Sequence, residues 1–325
     1  MPSEFELIGR YFARPTPSAD LGVGDDAALL RLAAGHQCVV STDMLVEGTH
    51  FVAGTDPRRL GWKTVAVSIS DLAAMAARPR WATLAVSLPD DDEAWLGGFA
   101  SGVHACCEAH GVELIGGDTT RGPRNLCATV LGEVPTGQAV TRAGAHEGDD
   151  IWISGQPGRA ALALARVLDG TSADGSLPAE FLEALEAPRP RLALGLALRG
   201  LASAMLDVSD GLLGDLAHIL ERSGVGARLI DGLLPLRALI DSGADPRRAR
   251  EALLGGGDDY ELLFCAPVAA RRRIVSLCDA VATPLHRIGT VVAETGRLEL
   301  ALDDGRCHPL QPTGFRHFTG EKADN

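Results

Sequence analysis

Six short acidic clusters recur along this 325-residue chain, each beside glycine or a small hydroxyl residue. They read Gly24-Asp25-Asp26, Ser41-Thr42-Asp43, Ser70-Asp71, Gly116-Gly117-Asp118-Thr119, Asp207-Val208-Ser209-Asp210-Gly211 and Gly257-Asp258-Asp259. Most follow an apolar run, where a buried element is expected to end and the chain to reach the surface. Carboxylates gathered at such ends repel one another unless a hard cation sits among them. Magnesium takes oxygen ligands and usually completes its octahedron with substrate phosphates, so the pattern points to a metal-bridged nucleotide site. A single cluster of this kind reads as an Asp/Gly turn. Six in one chain do not.

Composition narrows the partners. Lys and Arg number 30 against 43 Asp and Glu, a formal net charge of −13. Such a surface repels the phosphates of nucleic acid and of anionic membranes, but accepts a small phosphorylated ligand where cations mediate the contact. No apolar run is long enough to span a bilayer. The opening Met1-Pro2-Ser3-Glu4-Phe5-Glu6 lacks the basic and apolar regions of a signal peptide. Seven cysteines without a Cys-x-x-Cys argue against a disulfide framework and a zinc site. A cytoplasmic protein is expected.

With 46% hydrophobic residues, the chain is long enough for two ordinary domains or one large one. Ser3 and Glu6 form a capping-box pattern ahead of a short helix. Cys38-Val39-Val40 reads as a strand ending at Ser41-Thr42-Asp43, and Asp56-Pro57 as the start of a helix. In that helix Thr64, Val67, Asp71 and Ala74 share one small, apolar stripe, where a carboxylate needs a partner. Thr83–Leu88 alternates as a strand, and Asp90-Asp91-Asp92-Glu93 opens the next helix at its positive end. Val112–Ile115 and Leu126–Val134 are further strands. Residues 137–149, poor in periodicity, serve as a linker between a domain at 1–136 and a second at 150–319. The second domain restarts with a strand at Ile151–Gly155 and an Ala/Leu-rich helix ending near Gly170. A polar loop over Thr171–Gly175 and a helical stretch broken at Pro188-Arg189-Pro190 come next. An amphipathic helix over Asp210–Ser223 is stopped by Gly224. Tyr260–Cys265 and His286–Val292 are strands, and the polar tail at 320–325 is expected to be disordered. Strands and helices mix in both halves, so the class is α/β or α+β.

Several familiar motifs are absent. There is no Gly-x-x-x-x-Gly-Lys-Ser/Thr loop, no Gly-x-Ser-x-Gly elbow and no His-Glu-x-x-His. Gly22-Val23-Gly24-Asp25-Asp26-Ala27 matches the dinucleotide fingerprint formally, but its two aspartates would face a pyrophosphate with like charge. The combinations carry more. Asp207 and Asp210 stand three apart at a helix start, and Gly255-Gly256-Gly257 allows close backbone approach just before Asp258-Asp259-Tyr260-Glu261.

In this order, and extended by Ala73-Ala74-Met75, Thr120-Arg121-Gly122 and Tyr260-Glu261-Leu262, the clusters resemble those of the thiamine-monophosphate kinase family, from Glu4-Phe5 to about Phe318. The resemblance implies a two-domain PurM-like fold and a homodimer in which the N-terminal sheets meet. It also implies ATP-dependent phosphorylation of thiamine monophosphate to thiamine diphosphate, with several magnesium ions. By motif, Asp26, Ser41, Thr42, Asp43, Asp71, Asp118, Asp207 and Asp210 match the metal shell. Gly117, Arg142 and Ser209 match nucleotide contacts. His50, Asp258 and Phe315 match substrate contacts. At 258 many relatives carry glutamate, and Phe315 stands without a tyrosine hydroxyl. On the residues alone, Arg142 reads equally as a solvated linker arginine, His50 as a packed or surface histidine, and Phe315 as a core aromatic.

The implied chemistry explains what the chain lacks. A phosphate monoester is mostly dianionic at neutral pH and is already a nucleophile, so no side-chain base is required. Other members of the wider superfamily fit less well. Selenophosphate synthetase needs a reactive cysteine near its N-terminus, whereas the first here is Cys38, inside a strand pattern. The hydrogenase maturation relative ends in a functional cysteine, whereas this chain ends Ala323-Asp324-Asn325. Aminoimidazole ribonucleotide synthetase, which releases free phosphate, and a sensor that binds Mg-ATP without turnover stay open.

Overall fold

The first residues form a single helical turn, α1 (Glu4–Leu7), that widens into π geometry through Phe12. The computed structural model describes residues 4–170, 178–315 and 317. The Ser3 cap, the Thr171–Gly175 loop and the tail from Gly320 lie outside the described residues.

Strand β1 (His36–Val46) leads to helix α2 (Pro57–Ala74), whose Asp56 accepts the backbone N–H groups of Arg58 and Arg59 ahead of Pro57. Strand β2 (Arg78–Leu88) is followed by α3 (Glu93–His110), opened in the same way by Asp92 and closed by a left-handed Gly111. Both aspartates satisfy donors that a first helical turn leaves orphaned. Strands β3 (Glu113–Arg121) and β4 (Asn125–Pro135) complete a four-stranded sheet of order β1-β4-β2-β3, antiparallel except for the β2–β3 pair. Helices α2 and α3 cross where a Cβ on Gly61 would collide with the Phe99 carbonyl and one on Gly102 with that of Arg58. Only glycine permits that approach. Ile69, Leu72, Trp81, Phe99 and Leu126 fill the space between helices and sheet.

Two of the acidic clusters are not at strand ends, as expected from the sequence, but inside strands. β1 runs on through Ser41-Thr42-Asp43 to Val46, paired with β4 throughout, and β3 runs through Gly116-Gly117-Asp118 to Arg121 beside β2. A polar side chain ends a strand only where its backbone loses a partner, and here the ladder continues.

The chain then forms β5 (Asp150–Ser154), α4 (Arg159–Leu168), α5 (Ala179–Glu186) and α6 (Leu192–Leu198). Next come β6 (Ala204–Val208), α7 (Leu212–Ser223), β7 (Gly226–Ile230), α8 (Arg237–Asp241) and α9 (Pro246–Gly255). Last are β8 (Glu261–Ala266), α10 (Arg271–Ala280), β9 (Leu285–Val292), β10 (Leu298–Ala301) and β11 (Cys307–Pro309). Seven of these strands make a mixed sheet of order β11-β10-β7-β9-β5-β8-β6. Its core joins Ile151, Ile153 and Leu263 of the sheet to Leu212, Leu216, Ile219 and Leu253 of the helices.

Two compact units result: Met1–Val140 with Glu186–Gly200, and Thr141–Leu185 with Leu201–Asn325. The segment carrying α6, placed by sequence with the second domain, thus clusters with the first unit. Trp62 Nε1 donates to the Pro188 carbonyl at 2.7 Å, Arg59 pairs with Glu186 at 2.8 Å, and the Arg199 guanidinium caps the Ala76 carbonyl. These are tertiary contacts with α2 and the turn that follows it, invisible in a linear pattern.

Candidate active site

In the first unit, strand β1 and helix α2 bring two carboxylates together. Asp43 accepts the Ser68 hydroxyl at 2.8 Å, and Asp71 accepts the Ser41 hydroxyl. Burial pushes the Asp43 carboxyl up to about 6, the Asp71 charge pushes in the same direction, and the Ser68 bond opposes them. The pair therefore holds more negative charge than its own donors compensate. Thr42 is not part of it: strand alternation sends its side chain to the other face, where its hydroxyl bonds that of Thr129 at 2.8 Å.

A cavity of about 880 Å³ lies in the same unit, between the N-terminal segment and the β2–β3 edge. Asp26, Gly117 and Asp118 line it beside an apolar floor that includes Phe12, Leu84 and Leu114. Its size suits a small-molecule ligand, and its polar groups sit at one side of an otherwise apolar wall. Beyond β1, the Val46 N–H donates to Nδ1 of His50 at 3.0 Å. That bond makes Nδ1 the acceptor and assigns the proton of a neutral ring to Nε2.

In the second unit the geometry centres on the turn from β6 into α7. The carbonyls of Val208, Ser209 and Asp210 accept the N–H groups of Tyr260 (2.8 Å), Asp258 (2.8 Å) and Phe315 (2.9 Å). Three stretches far apart in sequence are thereby stitched into one surface carrying Asp210, Asp258 and Phe315. A Cβ on Gly257 would strike the Ser209 carbonyl, which explains the glycine before Asp258. Asp258 and Tyr260 both adopt left-handed backbone, φ 70° and 51°, unusual for these residues, and the Tyr260 hydroxyl donates to Asp258 at 3.0 Å. Phe315 is half exposed, Asp207 is buried inside β6, and Ser209 and Arg142 face solvent.

Three buried acids belong to this framework: Asp259 and Glu261, which stand beside Asp258 in the sequence cluster, and Asp215, which the sequence did not single out. Asp215 accepts the N–H groups of Ser209, Asp210 and Gly211 on one oxygen, each at 3.1 Å. Burial raises its carboxyl to about 6 against the lowering effect of those donors. Asp259 points away from Asp258 and accepts the Gly158 N–H at 2.7 Å, capping α4, and burial holds its carboxyl well above the usual range. Glu261 accepts the Ser154 hydroxyl at 2.5 Å and the Gln156 N–H at 3.3 Å, which anchors the β5–α4 turn. One signal was available for Asp215. It lies on the apolar face of α7 with Leu212 and Ile219, the kind of placement that had singled out Asp71.

Of the eight candidate metal ligands, six lie in the first unit and Asp207 and Asp210 in the second. Among the described residues no three His, Cys, Asp or Glu side chains converge on a point that would hold a metal ion. The donors nonetheless fit magnesium, which takes one or two carboxylates and completes its shell with water and phosphate rather than with an all-protein cage. The Asp43–Asp71 pair offers carboxylate and hydroxyl oxygens only, and its residual negative charge is what a hard cation relieves.

The sequence matches the AIR synthase related protein family, its N-terminal domain over residues 24–134 and its C-terminal domain over residues 146–300. It is 41% identical to the thiamine-monophosphate kinase of Escherichia coli K12 over 319 residues, 97% of this chain and 98% of that protein. The crystal structure of thiamine-monophosphate kinase from Stenotrophomonas maltophilia K279a superposes with a TM-score of 0.81 at 44% identity, covering 88% of this chain and 92% of that one. A ThiL protein complexed with AMPPCP and TMP superposes with a TM-score of 0.76 at 28% identity, covering 89% of each chain.

Proposed function

As a member of the thiamine-monophosphate kinase family, within the AIR synthase related proteins, this chain is one for which we propose ATP-dependent phosphorylation of thiamine monophosphate to thiamine diphosphate. The observation that carries the proposal is the similarity to such kinases along nearly the whole chain, acidic clusters included. A relative that holds an ATP analogue together with TMP supports both the phosphoryl donor and the acceptor.

The acceptor phosphate supplies its own nucleophile, so the protein's task is to bring two anions into line and hold them. Asp26, Ser41, Thr42, Asp43, Asp71, Asp118, Asp207 and Asp210 are assigned to hold several magnesium ions, with Thr42 the least supported by its side-chain direction. Magnesium, when bound, neutralises the triphosphate and orients it for in-line transfer. Gly117 exposes backbone beside the 880 Å³ cavity, whose apolar floor suits a nucleotide base. Ser209 and Arg142 are assigned to the nucleotide by their motif positions. His50 is assigned to the acceptor phosphate, its tautomer set by the Val46 N–H. Asp258, oriented by Tyr260, and Phe315 are assigned to the thiamine moiety, a cation that a carboxylate and an aromatic face both favour.

A homodimer belongs to the same reading. The outer face of β1 exposes Val40 and Met44 at 55% and 52%, flanking Thr42, an apolar stripe suited to a second copy of the sheet. No helix among the described residues is long and apolar enough to cross a membrane, and a cytoplasmic location is part of the proposal.

The test is to incubate the protein with Mg-ATP and thiamine monophosphate and separate the products. Thiamine diphosphate with equimolar ADP is expected. ADP with free phosphate would instead point to a synthetase, and ATP binding without turnover to a sensor.

A further inference from the structure

The turn from the end of β6 to Gly211 precedes the twelve-residue helix α7, a position that ordinarily attracts anions. Consecutive backbone N–H groups converge there at the positive end of a helix dipole, as in many phosphate sites. Yet the end of β6 and the turn carry two carboxylates assigned to cations, Asp207 and Asp210. We infer that Asp215 is a positioning residue that resolves the conflict: by occupying the N–H groups of Ser209, Asp210 and Gly211 from inside, it makes the loop a cation-binding surface and holds the substrate-side residues in register.

Four observations carry this. One carboxylate oxygen takes all three N–H groups at equal distance, so no donor of the nest is left to face outward. Gly211, at the N-cap, has no side chain of its own to do so, and Asp215 reaches back from the first turn instead. The residue is only 4% exposed, so its carboxylate meets those donors rather than solvent. The opposite edge of the loop is equally committed, because its carbonyls accept Tyr260, Asp258 and Phe315. A shift of the loop would therefore displace the assigned cation ligand Asp210 and both assigned thiamine contacts together. Asp215 itself touches neither substrate nor metal in this scheme.

The inference rests on the kinase reading but is testable apart from it. Two variants are needed. Asp215→Asn keeps an oxygen acceptor at the same place and removes the charge, whereas Asp215→Ala empties the nest. Isothermal calorimetry on the full chain, with magnesium chloride and then with thiamine monophosphate, requires no turnover. Asp215→Ala is expected to weaken both by roughly tenfold, as for loss of charge-assisted hydrogen bonds, and Asp215→Asn by a smaller factor of about three. In kinetics the same variants raise the half-saturating magnesium concentration and the KM for thiamine monophosphate more than they lower kcat. Asp215→Ala should also become sensitive to inorganic sulfate, which can enter the vacated N–H groups. If Asp215→Asn folds and binds magnesium and thiamine monophosphate as tightly as the parent, with only the melting temperature lowered, Asp215 is a helix cap and the inference is wrong. A parent protein that makes no thiamine diphosphate overturns the kinase reading instead, and the magnesium titrations still decide the role of Asp215.

Discussion

Asp43 in the first unit and Asp215 in the second are both held at about 6, and burial is the largest cause for each. Their partners otherwise differ, although each also feels a neighbouring aspartate, Asp71 or Asp210. The neighbour of Asp43 is a second carboxylate, Asp71, and its only opposing partner is a serine hydroxyl. Asp215 is surrounded by three backbone N–H groups that favour its charge. The same proton affinity thus conceals two roles. A half-buried acid beside another acid leaves charge for a ligand to neutralise, while a buried acid in a nest of N–H groups is held by the protein's own donors and serves as a fastener. Asp259 is a second fastener, at the start of α4.

The contrast can be broken at either side. The largest effect is expected for Asp43→Asn, which should lower turnover about 10²–10³-fold, comparable to deletion of a principal electrostatic group in other active sites. Near-parental turnover would remove Asp43 from the metal shell. The same variant should be more stable than the parent without magnesium, by about 1–2 kcal/mol at pH 8, allowing for partial solvation of the pair.

The pH dependence of that gain follows from the direction of the shift. A carboxyl raised from 3.8 to about 6 binds its proton more tightly in the folded state. The parent therefore keeps the associated stability below the unfolded value and loses it as pH rises through about 6. Urea denaturation across this range should show Asp43→Asn and the parent converging near pH 4 and diverging above pH 6. Saturating magnesium should shrink the gap at high pH by stabilising the parent, and a gap unaffected by magnesium would argue that no cation sits beside Asp43.

Asp259→Ala addresses the other side. Loss of an internal helix cap should cost about 2 kcal/mol in urea unfolding, with kcat changed far less than in Asp43→Asn. The reverse ranking would place Asp259 among the ligand-binding acids. The smallest structural effect is expected for Arg142→Ala. This exposed guanidinium should raise the KM for ATP several-fold, while stability stays within about 0.5 kcal/mol of the parent. Unchanged ATP kinetics would return Arg142 to the status of a solvated side chain.

Much of this was legible in the residues. Asp56-Pro57 and Asp92 mark helix starts whose caps depend only on neighbouring N–H groups, and Gly224 ends α7 through its own backbone. The Asp71 stripe identified a half-buried carboxylate because helical periodicity alone places it among apolar neighbours. Other features were hidden. Gly257-Asp258-Asp259 reads as one acidic cluster, yet the chain turns each acid in a different direction, Asp258 toward Tyr260 and Asp259 toward Gly158. Thr42 reads as one motif with Ser41 and Asp43, but alternation along β1 separates their faces once the strand continues to Val46.

By itself, then, the sequence determined the composition of the site: its acids and glycines, their order, the helix starts beside them and the family to which they belong. These are local matters, set by residue chemistry and by bonds spanning a few positions. Tertiary structure alone decided the division of labour among the acids. Whether a carboxylate meets another carboxylate, as Asp43 meets Asp71, or backbone N–H groups from a distant segment, as Asp259 meets Gly158, depends on which parts of the chain pack together. The charge that remains for a ligand is the difference between those surroundings.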